Sequence, residues 1–296
     1  MTPTGTPAAE IEIDEALVRS LLHEQHPDLA GLPIQPAASG WDNVMFRLGD
    51  DLCVRLPRRA ASAALLVTEQ RWLPTIADGL PLPVSAARRI GRPGTDFPWH
   101  WNVVSWLPGR PADLDVPRPD QAERWAGFLR ALHRPAPANA PRNAIRGCPL
   151  SNRIGPVAAR LDRLRGKTDI SFDRIDAIWH RALAASIDVE PTWLHGDLHA
   201  QNVLTDDGRL SAVIDWGDMA RGDRATDLAS IWMLLPGDDD RQRAIEAYDL
   251  PSSATWDRAR GWAVLFGSML LDVGLTDNPR FAITGEHILR RLVEDA

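Results

Sequence analysis

The chain has 296 residues, 44% hydrophobic and 25% charged, which is usual for a folded globular protein and excludes disorder of the whole chain. Its net charge of −7 provides no basic field to hold a nucleic-acid backbone. The longest apolar stretch, residues 261–271, is too short to span a bilayer, the acidic first fifteen residues are not typical of a secretory signal, and two cysteines are too few for a disulfide scaffold.

These observations predict a cytoplasmic protein with neither a nucleic-acid nor a membrane partner.

The first third of the chain is predicted to be rich in strands. Asp14 precedes an amphipathic run and is a candidate N-cap for a first helix, which ends before Pro27. Hydrophobic patterns and turn residues then predict strands over 44–48, 52–56, 84–89 and 101–107, with one helix over 60–76. A polar loop, residues 39–43, precedes the first strand.

The chain after residue 115 is predicted to be mainly helical. Pro108-Gly109-Arg110-Pro111 breaks the chain and is predicted to link two lobes, residues 1–107 and 108–296. Helices are predicted over 120–133, 157–164, 173–186, 224–235, 239–248, 255–272 and 279–294, and short strands over 192–215. The predicted fold class is α+β, with a small strand-rich N-terminal lobe, a larger helical C-terminal lobe and a cleft between them.

The densest group of polar residues is His195-Gly196-Asp197, with Asn202 five residues after the aspartate. A second acidic segment, Ile214-Asp215-Trp216-Gly217-Asp218, follows. Each segment is an apolar strand that runs into a short acidic loop, and two such strands side by side would bring Asp197, Asn202 and Asp215 together. Asp and Asn supply oxygen ligands suited to Mg²⁺, and a second Asp can accept a hydrogen bond from a hydroxyl. Metal-assisted phosphoryl transfer needs this set of groups.

The patterns HGDxxxxN and IDxxD together resemble the catalytic and metal loops of the aminoglycoside phosphotransferase family, which are small-molecule kinases with the protein-kinase-like fold. The order of nucleotide loop, Arg55 strand, Glu69 helix, hinge, catalytic loop and metal loop agrees over most of the chain. The resemblance implies that Asp197 is the catalytic aspartate, which orients the acceptor hydroxyl, and that Asn202 and Asp215 bind Mg²⁺. It implies ATP as the phosphoryl donor, with GTP left open.

The resemblance also implies where the nucleotide binds. Ser39, Gly40 and Asn43 lie in the loop that would cover the phosphates. Residues 101–107 would form the hinge strand, where the Ser105 carbonyl and the Leu107 amide are predicted to bind adenine.

One position departs from the usual kinase pattern. Kinases commonly place a lysine on the third strand, paired with a glutamate on the next helix, whereas this chain has Arg55, with Glu69 as its predicted partner. Lys167, the only lysine of the chain, lies far downstream. Arginine retains the charge, and its planar fork suits phosphate oxygens. The alternative is that Arg55 forms only a structural ion pair.

The sequence constrains the acceptor least. His199, Asp218 and Asp272 are candidate acceptor-site residues, and each also has a purely structural interpretation. Carboxylates in the pocket would bind a cationic molecule by charge-assisted hydrogen bonds. We therefore expect an aminoglycoside or a related antibiotic as the acceptor. The sequence leaves open a kinase of another hydroxylated metabolite, such as an amino alcohol or a sugar, and a monomer or a homodimer.

Two further functions are less favoured. A pseudokinase that binds nucleotide without turnover would not need Asp197, Asn202 and Asp215 together. A protein kinase needs a long activation segment, but Asp223 follows Asp215 closely and no Ala-Pro-Glu triplet comes after it.

Some polar residues beside the motifs are predicted to support them. His195 is predicted to be buried and bonded to the backbone, orienting the loop rather than acting as a base. Asp223 and Asp227 precede an apolar run and are predicted to cap a helix or brace a loop.

Overall fold

The computed structural model describes residues 7–248 and 252–295; the ends of the predicted lobes, residues 1–6 and 296, lie outside the described residues, as do 249–251. The helices, in chain order, are α1 (Glu15–Gln25), α2 (Ala60–Trp72), α3 (Pro74–Ala77), α4 (Ala122–Leu132), α5 (Ile154–Leu164), α6 (Phe172–Ala184), α7 (Ala225–Leu228), α8 (Ser230–Leu234), α9 (Asp238–Tyr248), α10 (Ser253–Gly274) and α11 (Pro279–Glu294). The strands are β1 (Ile34–Ser39), β2 (Asn43–Leu48), β3 (Leu52–Pro57), β4 (Ala87–Gly91), β5 (Trp101–Ser105), β6 (Arg110–Pro111), β7 (Thr192–Leu194), β8 (Val203–Asp206), β9 (Arg209–Val213) and β10 (Ala220–Gly222).

The N-terminal part is a five-stranded antiparallel sheet in the order β1-β2-β3-β5-β4. Helix α1 begins as predicted, because the Asp14 carboxylate accepts a hydrogen bond from the Leu17 amide at 2.8 Å. The buried face of α1 and one face of the sheet form a small hydrophobic core, which includes Val18, Phe46 and Val54. The other face of β3 presents Arg55, two positions along from Cys53.

Residues 34–39, for which no element was predicted, form β1, an exposed edge strand with a bulge between Pro36 and Ala38; an edge tolerates proline because one side of the strand has no partner. The predicted elements of this part differ from the structure in their bounds. The helix predicted over 60–76 is two helices, since Pro74 lacks the amide that would continue α2. The strand predicted from residue 84 begins at Ala87.

The C-terminal part is helical around α10, whose residues are mostly buried and which packs against α5, α6, α7 and α11. Its large core also takes in Leu73, Ile76 and Leu82, which precede the predicted lobe boundary. The division at residue 107 stays a prediction. Among the described residues, no helix is long and apolar enough to cross a membrane.

Two small sheets carry the polar motifs. Strand β7 pairs with β10, whereas β8 and β9 form a hairpin that β6 extends. The two strands that lead into the acidic loops, β7 and β9, are therefore not neighbours, contrary to the prediction. Their loops meet through other bonds: the Ile214 amide donates to the Asn202 carbonyl at 2.9 Å, and His195 Nε2 donates to the Ile214 carbonyl at 3.0 Å.

Candidate active site

The loop after β7 is held in place by buried backbone contacts. Gly196 has a φ of +88°, and a Cβ there would lie 2.6 Å from the carbonyl oxygen of Asp218, so both its backbone conformation and its surroundings require glycine. The Asp227 carboxylate accepts hydrogen bonds from the His195 amide at 2.7 Å and the Gly196 amide at 2.9 Å. Asp227 is fully buried, and it braces the loop as predicted.

His195 is also fully buried and joins the two motif loops. Its Nδ1 accepts a hydrogen bond from the Asp197 amide at 3.2 Å, which leaves Nε2 to donate to the Ile214 carbonyl. Burial lowers the pKa of His195, so the ring is neutral at pH 7. The predicted orienting role, rather than that of a base, agrees with these contacts.

Asp197 lies at the centre of the site. Its Oδ1 accepts from Arg146 Nη2 at 3.1 Å, and its Oδ2 accepts from Asn202 Nδ2 at 3.3 Å and lies 3.4 Å from His199 Nε2. Burial opposes ionisation of this carboxyl, but His199 and Arg146 outweigh that effect and hold its pKa below the usual range. Asp197 is thus ionised at neutral pH and able to accept a hydrogen bond from a hydroxyl.

Asp215 lies across the same cleft, which is also lined by Asp42, Asp197 and Asp218. Asp215 has a φ of +62°, an unusual conformation for a non-glycine residue and one that is often found at functional sites. Burial raises its pKa; Arg55 opposes the shift, while Asp197, Asp42 and Asp218 add to it. The cleft therefore concentrates negative charge that a cation would neutralise.

The structure brings Arg55 and Glu69 together, as the sequence predicted. Arg55 Nη1 donates to Glu69 Oε1 at 2.7 Å and Nη2 to Oε2 at 3.3 Å, and only 6% and 2% of the two side chains are exposed. Arg55 Nη2 also lies 3.6 Å from Asp215 Oδ1. Burial opposes the charge of Arg55, but Glu69 and Asp215 more than compensate and raise its pKa. The guanidinium thus connects α2 to the loop after β9 and lines the cleft.

The predicted phosphate loop is a tight hairpin between β1 and β2. Ser39 ends β1, the Gly40 amide donates to the Asn43 carbonyl at 2.9 Å, and Asn43 lines the cleft. Sequence reasoning missed Asp42 and Ser62 here. The Asp42 carboxylate accepts from Ser62 Oγ at 2.6 Å and ties the hairpin to the start of α2, and both residues line the cleft.

The predicted adenine contacts lie at the end of β5. Ser105 is the last residue of that strand, and Leu107 lies just beyond it. The Ser105 hydroxyl accepts from Arg88 Nε at 2.9 Å and lines a second cavity, which Leu52 and Val103 also border. Neither Ser105 nor Leu107 lines the cleft that holds Asp197, so their contact with adenine stays a prediction.

The three candidate acceptor residues have different positions. His199 lies against Asp197 and Asn202, and Asp218 accepts from Asn143 Nδ2 at 2.7 Å beside Arg146. Asp272 does not line the cleft; it lies on α10 and accepts two hydrogen bonds from Arg163, at 3.2 and 2.5 Å. Its place at an acceptor site stays a prediction.

Sequence reasoning also missed Asn143 and Arg146, which reach the site from the loop between α4 and α5. Proline, alanine and asparagine dominate that loop, and no periodic pattern marks either residue. The neighbouring residues in the sequence, such as Cys148 and Pro149, gave no indication of a role at the site. Only the packing of the loop against the β7–β10 sheet brings them beside Asp197 and Asp218.

The chain spans about half the length of the curated relatives that it matches. Viomycin phosphotransferase of Streptomyces vinaceus is 33% identical over 168 residues, which are 51% of this chain and 54% of that protein. Aminoglycoside 3′-phosphotransferase of Escherichia coli is 30% identical over 148 residues, 46% of this chain and 52% of that protein.

The fold has counterparts among solved structures. The GDP complex of wild-type aminoglycoside 2′-phosphotransferase-IIIa superposes with a TM-score of 0.70 at 16% identity, covering 96% of this chain and all of that one. Macrolide 2′-phosphotransferase MphH of Brachybacterium faecium gives 0.58 at 21% identity, covering 92% and 97%. These likenesses establish the protein-kinase-like fold.

The family model described as "Phosphotransferase enzyme family" matches residues 33–262, which include the β1–β2 hairpin, the Arg55–Glu69 pair and both motif loops. This match covers well over half of the chain. The chain belongs to the phosphotransferase enzyme family.

Proposed function

We propose that the protein transfers the γ-phosphoryl group of Mg·ATP to a hydroxyl group of a small molecule. One observation carries the proposal: the ionised Asp197 contacts Asn202 and faces Asp215 across a single cleft, beneath the Arg55–Glu69 ion pair. The phosphotransferase names of the relatives support the same reaction class.

The residues of the cleft fit a magnesium ion. Asn202 uses its amide nitrogen to bond Asp197, which leaves its Oδ1 available, and hard oxygen ligands suit Mg²⁺. Among the described residues, no three His, Cys, Asp or Glu side chains are placed to hold a metal. Asn202 and Asp215 would thus need nucleotide phosphates and water to complete the coordination. When bound, Mg²⁺ would neutralise charge on the phosphates.

The protein's own residues would position the reactants. Asp197 would accept a hydrogen bond from the acceptor hydroxyl and take its proton as the phosphoryl group is transferred. Arg55 would direct its guanidinium at the α- and β-phosphates while Glu69 holds it in place. The hairpin that contains Gly40 would cover the phosphates from above. Most of the catalysis would then come from positioning and charge neutralisation.

The acceptor is proposed to be an antibiotic or a similar hydroxylated natural product, with aminoglycosides as the first class to test. The names of the relatives support this choice, since they mention aminoglycosides, viomycin and macrolides. ATP is the proposed donor; GDP-bound and ADP-bound structures among the neighbours support a purine nucleotide of either kind. A cytoplasmic location, expected from the sequence, is consistent with a reaction that consumes ATP.

The reaction can be tested by ADP release from Mg·ATP in the presence of aminoglycosides, viomycin, macrolides, amino alcohols and sugars. We expect one class to stimulate release, and Asp197→Asn to reduce kcat by about 10²- to 10⁴-fold, because a general base contributes that much. The affinity of the variant for Mg·ADP should stay close to that of the wild type.

The matched control is Asp206→Asn, which removes an exposed carboxylate outside the cleft. Comparable turnover by Asp197→Asn and the wild type would remove Asp197 from the mechanism. Failure of the wild type to bind Mg·ADP at all would contradict the proposed function.

A further inference from the structure

The carboxylate of Asp197 is held from two sides. Asn202 Nδ2 donates to Oδ2 at 3.3 Å, and His199 Nε2 lies 3.4 Å from the same oxygen. On the other side, Arg146 Nη2 donates to Oδ1 at 3.1 Å. Each carboxylate oxygen has two lone pairs, and among the described residues Arg146 is the one side chain that bonds Oδ1. Oδ1 is therefore the oxygen that is open to a further donor.

The Arg146 side chain is itself fixed in place by its surroundings. Only 7% of it is exposed, and its guanidinium lies over the ring of Phe266, 4.8 Å from the centre of that ring. Phe266 is a fully buried residue of α10, and a cation is attracted to the face of an aromatic ring. The guanidinium is thus in contact with both Phe266 and Asp197 before any reactant binds.

A side-chain turn at Asn143 shapes the backbone that carries Arg146. Asn143 Oδ1 accepts hydrogen bonds from the Ile145 amide at 2.9 Å and from the Arg146 amide at 3.2 Å. Asparagine favours turns because its side chain can bond the backbone that follows it. Asn143 Nδ2 also donates to Asp218 Oδ1 at 2.7 Å, and Asp218 lines the cleft with Asp197. One asparagine therefore directs Arg146 and ties its loop to the cleft.

The same loop is docked on the sheet that leads to Asp197. The Arg221 amide donates to the Pro141 carbonyl at 2.8 Å, and the Asp223 amide donates to the Gly147 carbonyl at 3.1 Å. Gly147 has a φ of +64°, and a Cβ there would lie 2.5 Å from a side-chain carbon of β7, so this close approach requires glycine. Because β7 pairs with β10, the loop of Arg146 and the loop of Asp197 are fixed to one sheet.

We infer that Arg146 is a positioning residue, which fixes the plane of the Asp197 carboxylate so that Oδ1 receives the hydroxyl group of the acceptor. This inference rests on the proposed phosphotransfer. In that reaction the hydroxyl oxygen bonds to the γ-phosphorus while the bond from this phosphorus to the β,γ-bridging oxygen breaks. ADP leaves with the electron pair of that bond, and Asp197 takes the hydroxyl proton. A carboxylate free to rotate would hold the hydroxyl in unproductive orientations, and transfer is fast only when the reacting atoms are aligned.

Arg146→Met removes the donors and retains the aliphatic stem. We expect kcat to fall by about 10- to 100-fold, because small displacements of reacting groups cost about that much, while the KM for ATP stays at the wild-type value. Arg146→Lys keeps a charged donor but loses the planar group, and it should recover part of the lost kcat. Rates are measured with the full chain as ADP release from Mg·ATP, with kanamycin, with viomycin and without an acceptor, when water takes the phosphoryl group.

Rescue by a small cation separates positioning from a purely structural role. Arg146→Ala opens a space beside Phe266, and guanidinium chloride at a concentration that does not denature the protein should restore part of kcat there. Urea has the same planar shape without the charge and should not restore it. Arg142→Met is the matched control, since Arg142 is an exposed residue of the same loop, and it should keep the wild-type kcat. If Arg146→Ala and Arg146→Met do not fold, Arg146→Lys serves, because it retains the buried charge.

Wild-type kcat in the Arg146 variants overturns the inference. So does a loss of kcat that comes with an equal change in the KM for ATP and that neither lysine nor guanidinium restores, because the whole cleft would then be damaged. Affinity for Mg·ADP is measured first. A wild type that does not bind Mg·ADP, or that releases no ADP from Mg·ATP even to water, contradicts the proposed function, whereas an active wild type matched by Arg146→Met contradicts only the role of Arg146.

Discussion

At the scale of single residues, carboxylates of one type behave differently because their neighbours differ. His199 and Arg146 lower the pKa of Asp197 against the effect of burial, whereas burial and three nearby carboxylates raise the pKa of Asp215. Pairs of acidic groups whose environments separate their pKa values are typical of sites with divided chemical roles. Asp197 is suited to receive a hydroxyl proton, and Asp215 to bind a cation that relieves repulsion.

Asp215→Asn should therefore have two opposite effects. The raised pKa means that ionised Asp215 costs folding stability: its favourable contribution is present below the unfolded pKa of about 3.9 and is lost as pH rises through the folded pKa. Without metal at pH 7, the amide should thus raise the melting temperature. Binding of ATP in the presence of Mg²⁺ should weaken by at least about ten-fold, because a ligand is lost.

Calorimetry with and without Mg²⁺, and thermal unfolding in metal-free buffer, measure the two effects. Asp239→Asn, at an exposed position in the first turn of α9, is the control. An unchanged affinity for Mg·ATP would refute the metal assignment of Asp215.

Substitution of Arg55 distinguishes a phosphate contact from a purely structural ion pair. Arg55→Met leaves Glu69 buried without its partner, and we expect a loss of about 3–5 kcal/mol in the free energy of unfolding. The informative variant is Arg55→Lys, which keeps the charge and loses the two-pronged contact. If Arg55 binds phosphates, Arg55→Lys should raise the KM for ATP more than that for the acceptor. Equal KM values in the two proteins would leave Arg55 with a structural role alone.

At the scale of elements, the loop after β7 depends on a residue that does not line the cleft. Asp227 at the start of the helical run α7–α8 binds the amides that open the loop after β7, and Asp223 nearby pairs with Arg258 of α10 at 2.6 Å. The loop geometry is therefore fixed from the helical side. The N-terminal sheet contributes Arg55 from β3 to the cleft.

Asp227→Asn should disturb this loop without removing any group from the chemistry. One of the two buried amides would face an NH₂ group, and we expect a loss of about 1–3 kcal/mol in the free energy of unfolding. As a positioning residue, Asp227 should affect kcat more than the KM for ATP. Asp173→Asn, at a fully exposed side chain of α6, is the control. A variant that is destabilised but has wild-type kcat would show that the brace serves folding alone.

At the scale of the whole molecule, buried histidines link stability to pH. Burial lowers the pKa values of His133 and His195, so the folded chain keeps both neutral while the unfolded chain binds protons below about pH 6.5. The contribution of the two neutral histidines to the free energy of unfolding is thus fully present above about pH 6.5 and is lost as the pH falls below that value. Each histidine contributes at most about 1.4 kcal/mol per pH unit to the slope.

Denaturant unfolding between pH 7.5 and 5.5 measures this slope. His133→Gln should make this slope shallower, because the unfolded chain then has one histidine fewer to protonate. The variant also loses the hydrogen bond to the Tyr248 hydroxyl. His180→Gln, at an exposed position of α6, is the control. An identical slope in His133→Gln and the wild type would exclude His133 as the source.

The local amino-acid sequence by itself determined much of this protein's secondary structure and its main motif. Short segments of the sequence are enough to predict the motif around Asp197, the N-cap at Asp14, the β8–β9 turn and most helices. The reason is that caps, turns and periodic burial depend on residues that are close in sequence. The resemblance to kinases, which commonly pair a cation on the third strand with a glutamate on the next helix, predicted the pairing of Arg55 with Glu69. Pro74 was visible in the sequence, and its effect on α2 follows from its missing amide.

Only the tertiary structure decided which strands are neighbours and which charges lie beside Asp197. Strand β7 pairs with β10 rather than β9, and Arg146 donates a hydrogen bond to Asp197 although the two residues lie 51 positions apart in the sequence. The physical reason is that the charge at a site sums over every segment packed there. Asp272 appeared in the sequence as an available negative charge, and it is neutralised because α5 places Arg163 against it.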